Sequence, residues 1–327
     1  MFPLRDFYNA DDIDGFEEYL KTHPKAKFFI DTSPLVKTIS DQRHCYTELL
    51  LKYGAETNRF CEVISTEYTI LKYAILCGDA RTVELLLQYG ADPDATNNDV
   101  YSKYFPYQGF GFRDIDDDSP IAYAAFLGKE DVVRLLVQYG AKIDKSSLIF
   151  CCRLEKTNTL IYLLDHLTSP NQIYDSLCYC AQNGYAHSME AILIRIKDID
   201  VNKKDRGGKT AMYYACKEGK TSCVDLLLKY GADPLISYGE EKVPAFHMSV
   251  ALNYTEIVEM LIQRGVNPNA QDLDGWTPLH YTSVHDLIDL AQLLIKYGAD
   301  RRIWNNEGKT SWDIAKSDSM RTLLEKN

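Results

Sequence analysis

The sequence predicts an all-α solenoid of about ten helix-turn-helix units, joined by short β-hairpin or turn connections. Three observations carry this. A Tyr-Gly-Ala phrase recurs at Tyr53-Gly54-Ala55, Tyr89-Gly90-Ala91, Tyr139-Gly140-Ala141, Tyr230-Gly231-Ala232 and Tyr297-Gly298-Ala299, with a weaker copy at Arg264-Gly265-Val266. Gly231 to Gly265 is 34 residues and Gly265 to Gly298 is 33, the period of stacked helical repeats. An apolar stripe at i, i+3, i+4 precedes each phrase, as in Val83-Leu86-Leu87, Val133-Leu136-Val137, Val224-Leu227-Leu228, Val258-Leu261-Ile262 and Ala291-Leu294-Ile295.

The unit from Thr69 to Thr96 shows the logic. Thr69 caps a first helix that buries Leu71 and Ala74, and Gly78 ends it. The second helix carries the Val83 stripe and stops at Gly90. Asp92-Pro93-Asp94 then leads the chain out, because proline cannot continue a helix and aspartate favours turns. The glycine-to-glycine distance recurs from Gly128 to Gly140 and from Gly219 to Gly231. Ser33-Pro34, Ser119-Pro120 and Thr277-Pro278 each set a hydroxyl cap before a proline at the first helical position.

In order, the units fall at 3–30 (a shortened N-terminal cap), 31–65, 66–98, 116–146, 147–171, 172–204, 207–238, 241–272, 274–306 and 307–327 (a C-terminal cap), a single array over 1–327. Two central units depart from the pattern. Asp165-His166-Leu167 and Arg195-Ile196-Lys197 replace the Tyr-Gly-Ala phrase, so a bend or lower local stability is expected there.

At Thr277-Pro278-Leu279-His280 the chain resembles the ankyrin repeat signature, with Thr282 where alanine is usual. Gly208, Gly275 and Gly308 match the hairpin glycine of that repeat. The resemblance implies a concave face of hairpins and inner helices that grips other macromolecules. Carried over by position, helix ends supply Leu76, Phe126, Leu127, Lys217 and Glu218, and the hairpin tips include Leu273, Asp274, Trp276 and Lys309. It further implies that His247 and His280 tie neighbouring hairpins by hydrogen bonds. Trp276 either binds a partner or packs on the next unit. Asn269 resembles the hairpin asparagine that an asparaginyl hydroxylase modifies.

Gly90 and Gly140 are 50 residues apart, and the surplus at about 99–115 is rich in aromatics. Tyr101, Tyr104, Phe105, Tyr107, Phe110 and Phe112, followed by Arg113, would sit beside Leu76, Phe126 and Leu127. Two readings stay open: the segment contacts a partner, as interface hot spots do, or it folds back and seals those apolar residues. Asp114, Asp116, Asp117 and Asp118 read as a solvated acidic turn, since the spacing and bidentate glutamate of a calcium-binding EF-hand are missing.

A net charge of −11 disfavours binding to phosphate backbones, which needs clustered Lys and Arg. No basic n-region and apolar run opens the sequence, and no stretch approaches the roughly 20 apolar residues of a spanning helix. A cytoplasmic or nuclear chain that does not insert into membranes is expected, monomeric by itself. The nine cysteines read as reduced thiols. Cys151, Cys152, Cys178 and Cys180 lack finger-type spacing, which favours core packing over a metal site.

The sequence offers no convergent catalytic constellation, and Gly109-x-Gly111 does not join a strand to a helix as a dinucleotide fingerprint requires. The expected function is a non-catalytic interaction scaffold for a protein or peptide, without cofactor or metal. The alternatives are a ubiquitin-ligase substrate receptor, an occluding inhibitor, or a pathogen or viral effector acting on host proteins. Against the receptor, 310–327 is read as a capping unit that leaves no room for an appended box.

Overall fold

The computed structural model describes residues 3–23, 34–63, 66–77, 79–96, 119–167, 170–236 and 243–325. These residues form nineteen helices and one two-stranded sheet. Contacts group them into two compact units, Met1–Thr168 and Ser169–Asn327.

The N-terminal unit contains five helix pairs: α1 (Pro3–Asn9) with α2 (Ile13–Thr22), α3 (Pro34–Ser40) with α4 (His44–Lys52), α5 (Ile70–Cys77) with α6 (Ala80–Gln88), α7 (Pro120–Phe126) with α8 (Glu130–Gln138), and α9 (Lys145–Arg153) with α10 (Thr157–His166). First helices pack on first helices along the row α3, α5, α7, α9, and second helices form the parallel row α2, α4, α6, α8, α10. Val83, Leu86, Val133 and Leu136 are completely buried, as the apolar stripe predicts. Leu85 is buried as well, so α6 packs over a wider arc than three positions.

The C-terminal unit repeats the plan with α11 (Pro170–Asn183) and α12 (Ala186–Arg195), α13 (Ala211–Lys217) and α14 (Thr221–Lys229), α15 (Ala245–Ala251) and α16 (Thr255–Gln263), α17 (Pro278–His285) and α18 (Ile288–Lys296). A last helix, α19 (Asp318–Glu325), packs on α18 and buries Met320 and Leu324. Val224, Leu227, Val258, Leu261, Ala291 and Leu294 fill the space between rows.

The recurring phrase has a single geometric cause. In the α8 copy, the Ala141 N–H donates to Leu136 O (2.9 Å) and the Gly140 N–H to Val137 O (3.0 Å), the two reversed bonds that satisfy the last carbonyls of a helix. The α14 copy is the same, with Ala232 bonded to Leu227 O and Gly231 to Leu228 O. Ala141 and Ala232 are buried, so the third position must be small and apolar. Gly231 has φ of +82°, and a Cβ there would meet nothing within 4 Å. The requirement is conformational, not steric. Gly231→Ala is therefore expected to cost only the left-handed penalty of about 1–2 kcal/mol, read as a lower urea midpoint by tryptophan fluorescence. All three tryptophans, Trp276, Trp304 and Trp312, lie in the C-terminal unit, so the probe reports that unit alone.

Several expectations need correction. The fifth pair begins before residue 147, because Asp144 caps α9: its carboxylate accepts from the Ser147 N–H at 2.7 Å. Likewise the sixth pair begins at Pro170, not 172. The unit at 147–171 keeps a regular helix pair without a glycine stop, because Glu155 itself takes φ of +51° between the helices. α10 ends with Leu167 in extended conformation, which avoids the left-handed residue altogether. A hairpin absent from the repeat arithmetic, β1 (Phe60–Val63) with antiparallel β2 (Thr66–Thr69), leads into α5 and pairs Cys61 with Tyr68. The tyrosine of the Tyr-Gly-Ala phrase does not sit alike in every repeat. Tyr53 and Tyr297 bond the preceding pair through Glu17 (2.9 Å) and Glu259 (2.8 Å), whereas Tyr89, Tyr139 and Tyr230 stand more than a third exposed.

Candidate interaction surface at the helix ends and hairpins

In the N-terminal unit, α5 and α7 pack on each other as consecutive first helices. Leu76, in the last turn of α5, is 40% exposed. Phe126 closes α7 half-buried, its ring 5.2 Å from that of Phe150 in an edge-on arrangement, and Leu127 is the half-buried residue after it. Leu76, Phe126 and Leu127 thus fall at the C-terminal ends of two first helices that pack on each other. Tyr101, Tyr104, Phe105, Tyr107, Phe110, Phe112 and Arg113 lie outside the described residues, as do the hairpin positions Glu240 and Glu241.

In the C-terminal unit, Lys217 and Glu218 stand exposed at the end of α13, with the Lys217 ammonium 5.8 Å from the ring of Tyr213. Trp276 lies on the hairpin that leads into α17 and is half-buried. Its ring packs 5.9 Å from His280 and 5.4 Å from Tyr281, both on α17 of its own repeat rather than on the next unit.

These hairpins are built on one aspartate or asparagine per turn. Asp205 Oδ1 accepts from the N–H groups of Gly207 and Lys209, and its Oδ2 accepts from the Tyr214 hydroxyl at 2.6 Å. Asp272 does the same with Asp274, Trp276 and Tyr281 (3.0, 2.8 and 2.7 Å). Asn305 takes Glu307 and Lys309. Such side-chain turns hold the loop where a backbone ladder is too short to do so. Burial and then the Asp272 carboxylate push the Tyr281 phenol upward, so it stays a proton donor.

Two histidines join successive hairpins, as the family resemblance implies. His247 Nε2 meets Ala270 O at 2.9 Å, and His280 Nε2 meets Lys309 O at 3.0 Å. His280 Nδ1 accepts the Thr277 N–H at 3.1 Å, which fixes the neutral tautomer with the proton on Nε2. Burial lowers the pKa of both imidazoles. Neither faces a solvent-filled site, so they act as struts.

A second set of bridges uses asparagine. Asn58, Asn202 and Asn269 each donate to the stop glycine carbonyl of the next repeat, Gly90 (3.2 Å), Gly231 (3.2 Å) and Gly298 (3.0 Å), and each accepts the N–H two residues on from that glycine. Asn269 is thus engaged at both ends of its amide.

Cys151, Cys152, Cys180, Cys216 and Cys223 are fully buried, and desolvation pushes the Cys223 and Cys61 thiols up to about 11. They fill the small apolar positions between helices. Among the described residues no group of three or more His, Cys, Asp or Glu side chains is placed to hold a metal ion, and no helix is long and apolar enough to cross a membrane.

Sequence reasoning misses Trp304, which is 66% exposed. The register holds a usable signal: Lys204 and Gln271 occupy the same position before their hairpin aspartates, so a tryptophan there faces outward.

Comparison with known proteins agrees with this architecture. The family description "Ankyrin repeats (3 copies)" matches residues 148–238, 177–272 and 246–327, together more than half of the chain, and "Ankyrin repeat" matches 66–98 and 116–148. The chain belongs to the ankyrin repeat family. Among similar proteins, the "Ankyrin repeat and LEM domain-containing protein 1 homolog" of Caenorhabditis elegans is 41% identical over 85 residues, 25% of this chain and 12% of that protein. "Protein phosphatase 1 regulatory subunit 12A" of Mus musculus is 37% identical over 81 residues, 25% of this chain and 8% of that protein. The "Putative ankyrin repeat protein L371" of Acanthamoeba polyphaga mimivirus is 27% identical over 233 residues, 67% of this chain and 28% of that protein. The chain therefore spans well under two thirds of the length of these relatives.

Proposed function

We propose that this chain is a non-catalytic scaffold that holds a protein or peptide partner on the face made by its first-helix ends and hairpin tips. The observation that carries the reading is the exposure of Leu76 and the partial exposure of Phe126 and Leu127 at the C-terminal ends of two first helices that pack on each other. Partially exposed apolar side chains in register on rigid elements are what a protein interface needs. Lys217, Glu218 and Trp276 supply the corresponding positions of the C-terminal unit, and the insertion at about 99–115, with Tyr101, Tyr104, Phe105, Tyr107, Phe110, Phe112 and Arg113, adds an aromatic contact segment. The family's relatives support the class: one is named a regulatory subunit. In this reading the chain works as a monomer in the cytoplasm or nucleus and binds neither nucleic acid nor a cofactor.

Deletion of residues 100–113 tests the role of the aromatic segment. In affinity capture followed by mass spectrometry, the deleted chain is expected to lose at least one protein that the wild-type chain retains. An identical set of captured proteins would remove the segment from the interface.

A further inference from the structure

Two hairpin tips of the C-terminal unit, 272–276 and 304–308, are bonded directly to each other. Asn306 N–H donates to Asp274 O and Asn306 Nδ2 to Leu273 O, both at 3.1 Å, and Gln271 Nε2 donates to Trp304 O at 3.0 Å. Between them lies an open recess of about 420 Å³ lined by Asp272, Asp274, Trp276, Tyr281, Asn306 and Glu307. Leu273 and Trp304 on the same two tips are 59% and 66% exposed. Tryptophan and leucine this bare, on tips fixed to each other by hydrogen bonds, leave apolar surface with no cover among the described residues.

The charges decide what covers it. Asp272 is already committed to three donors, and Glu307 is paired with Lys309 at 2.9 Å. Arg302, on the segment before the second tip, is held by Asp300 at 3.1 Å, and neither it nor Arg301 lines the recess. The Asp274 carboxylate is exposed and makes no side-chain bond among the described residues. The recess therefore carries uncompensated negative charge against the rings of Trp276 and Tyr281, the combination that attracts a guanidinium or ammonium group. Phosphate is repelled by the same carboxylates, and the chain's net charge of −11 steers basic partners toward it.

We propose that this recess receives an arginine or lysine side chain from an extended peptide segment of the partner, with a neighbouring apolar residue of that segment covering Leu273 and Trp304. The inference rests on the protein-binding reading and adds the chemistry of the bound segment at one place. Asp274 and Trp304 are its specificity-determining residues.

The test is selection of a random heptapeptide phage library on the full chain, with counter-selection on full chains carrying Asp274→Lys or Trp304→Ala. Enriched peptides are expected to share an arginine or lysine beside an apolar residue. The best of them, made synthetically and fluorescently labelled, is expected to bind either variant at least tenfold more weakly. Both substitutions are at exposed positions, and unchanged thermal melting by circular dichroism verifies that the fold persists. Absence of enrichment over the variants, enrichment of acidic or uncharged peptides, or equal affinity for wild-type and variant chains would overturn the inference. A captured protein partner that binds both variants as tightly as the wild type overturns it too, while leaving the scaffold reading intact.

Discussion

His280→Ala is expected to lower the unfolding free energy of the C-terminal unit by about 3 kcal/mol, the sum of a cavity and a buried Thr277 N–H left without a partner. The imidazole is 1% exposed, and it alone receives the Thr277 N–H while reaching Lys309 O on the next hairpin. Without it the first turn of α17 and the 305–309 hairpin each lose a tie. Tryptophan fluorescence in urea measures the change, because every tryptophan is in this unit. The same residue sets a pH dependence. Burial holds the folded pKa below the unfolded value of about 6.5, and the nearby Asp272 and Asp313 carboxylates offset only part of that. The unfolded state therefore binds more protons in the window below about pH 6.5, so stability is full above that pH and declines as the pH falls toward the folded value. His247 contributes with the same sign. His280→Ala is expected to flatten the decline between about pH 6.5 and 5; a slope equal to that of the wild type would show that His280 does not contribute to it.

Gly275→Ala is expected to cost about 3 kcal/mol, well beyond Gly231→Ala in the same unit and with the same probe. Both residues have positive φ, +76° and +82°, so the backbone penalty is similar. The surroundings differ. A Cβ at Gly275 would lie 2.6 Å from Asn306 Oδ1 and 2.8 Å from the Asn306 backbone nitrogen, and the second of these cannot rotate away. Relief requires the two hairpins to part, breaking the Asn306 bonds to Leu273 and Asp274, which adds an overpacking cost of about 1–3 kcal/mol. Equal midpoints for the two variants would mean that hairpin stacking adds nothing to stability.

Much of this fold is legible in the sequence because the repeat writes the same physical constraint many times. The Tyr-Gly-Ala phrase marks helix ends since only glycine takes the left-handed turn freely and only a small apolar residue fits after it. Thr69, Ser119 and Thr277 are legible as caps, and the structure bonds Thr69 and Ser119 to the expected backbone N–H groups. Where the constraint is met by other means, the reading fails. Gln42, Glu155, Asn253 and Asp286 hold left-handed turns without glycine. Asp286 shows the reason, since its carboxylate also accepts from Ser317 at 2.5 Å and ties α17 to the cap. The 60–69 hairpin was accessible in principle, because Phe60, Val63, Thr66, Tyr68 and Thr69 are strand-forming types, but it falls between helices and outside the repeat arithmetic. Surface chemistry is the least legible part. Periodicity separates buried from exposed positions and says little about which exposed ones converge, so Trp304 emerges only when the 272–276 and 304–308 tips are seen to touch.

The most direct measurement of the central claim is quantitative affinity capture with the full chain, comparing wild type with a chain carrying Leu76→Ser, Leu127→Ser, Lys217→Glu and Trp276→Ala. Loss of at least one captured protein by tenfold or more, with the helical circular dichroism signal retained, is the predicted result. Retention of every captured protein in undiminished amount would contradict an interaction surface at the helix ends and hairpins.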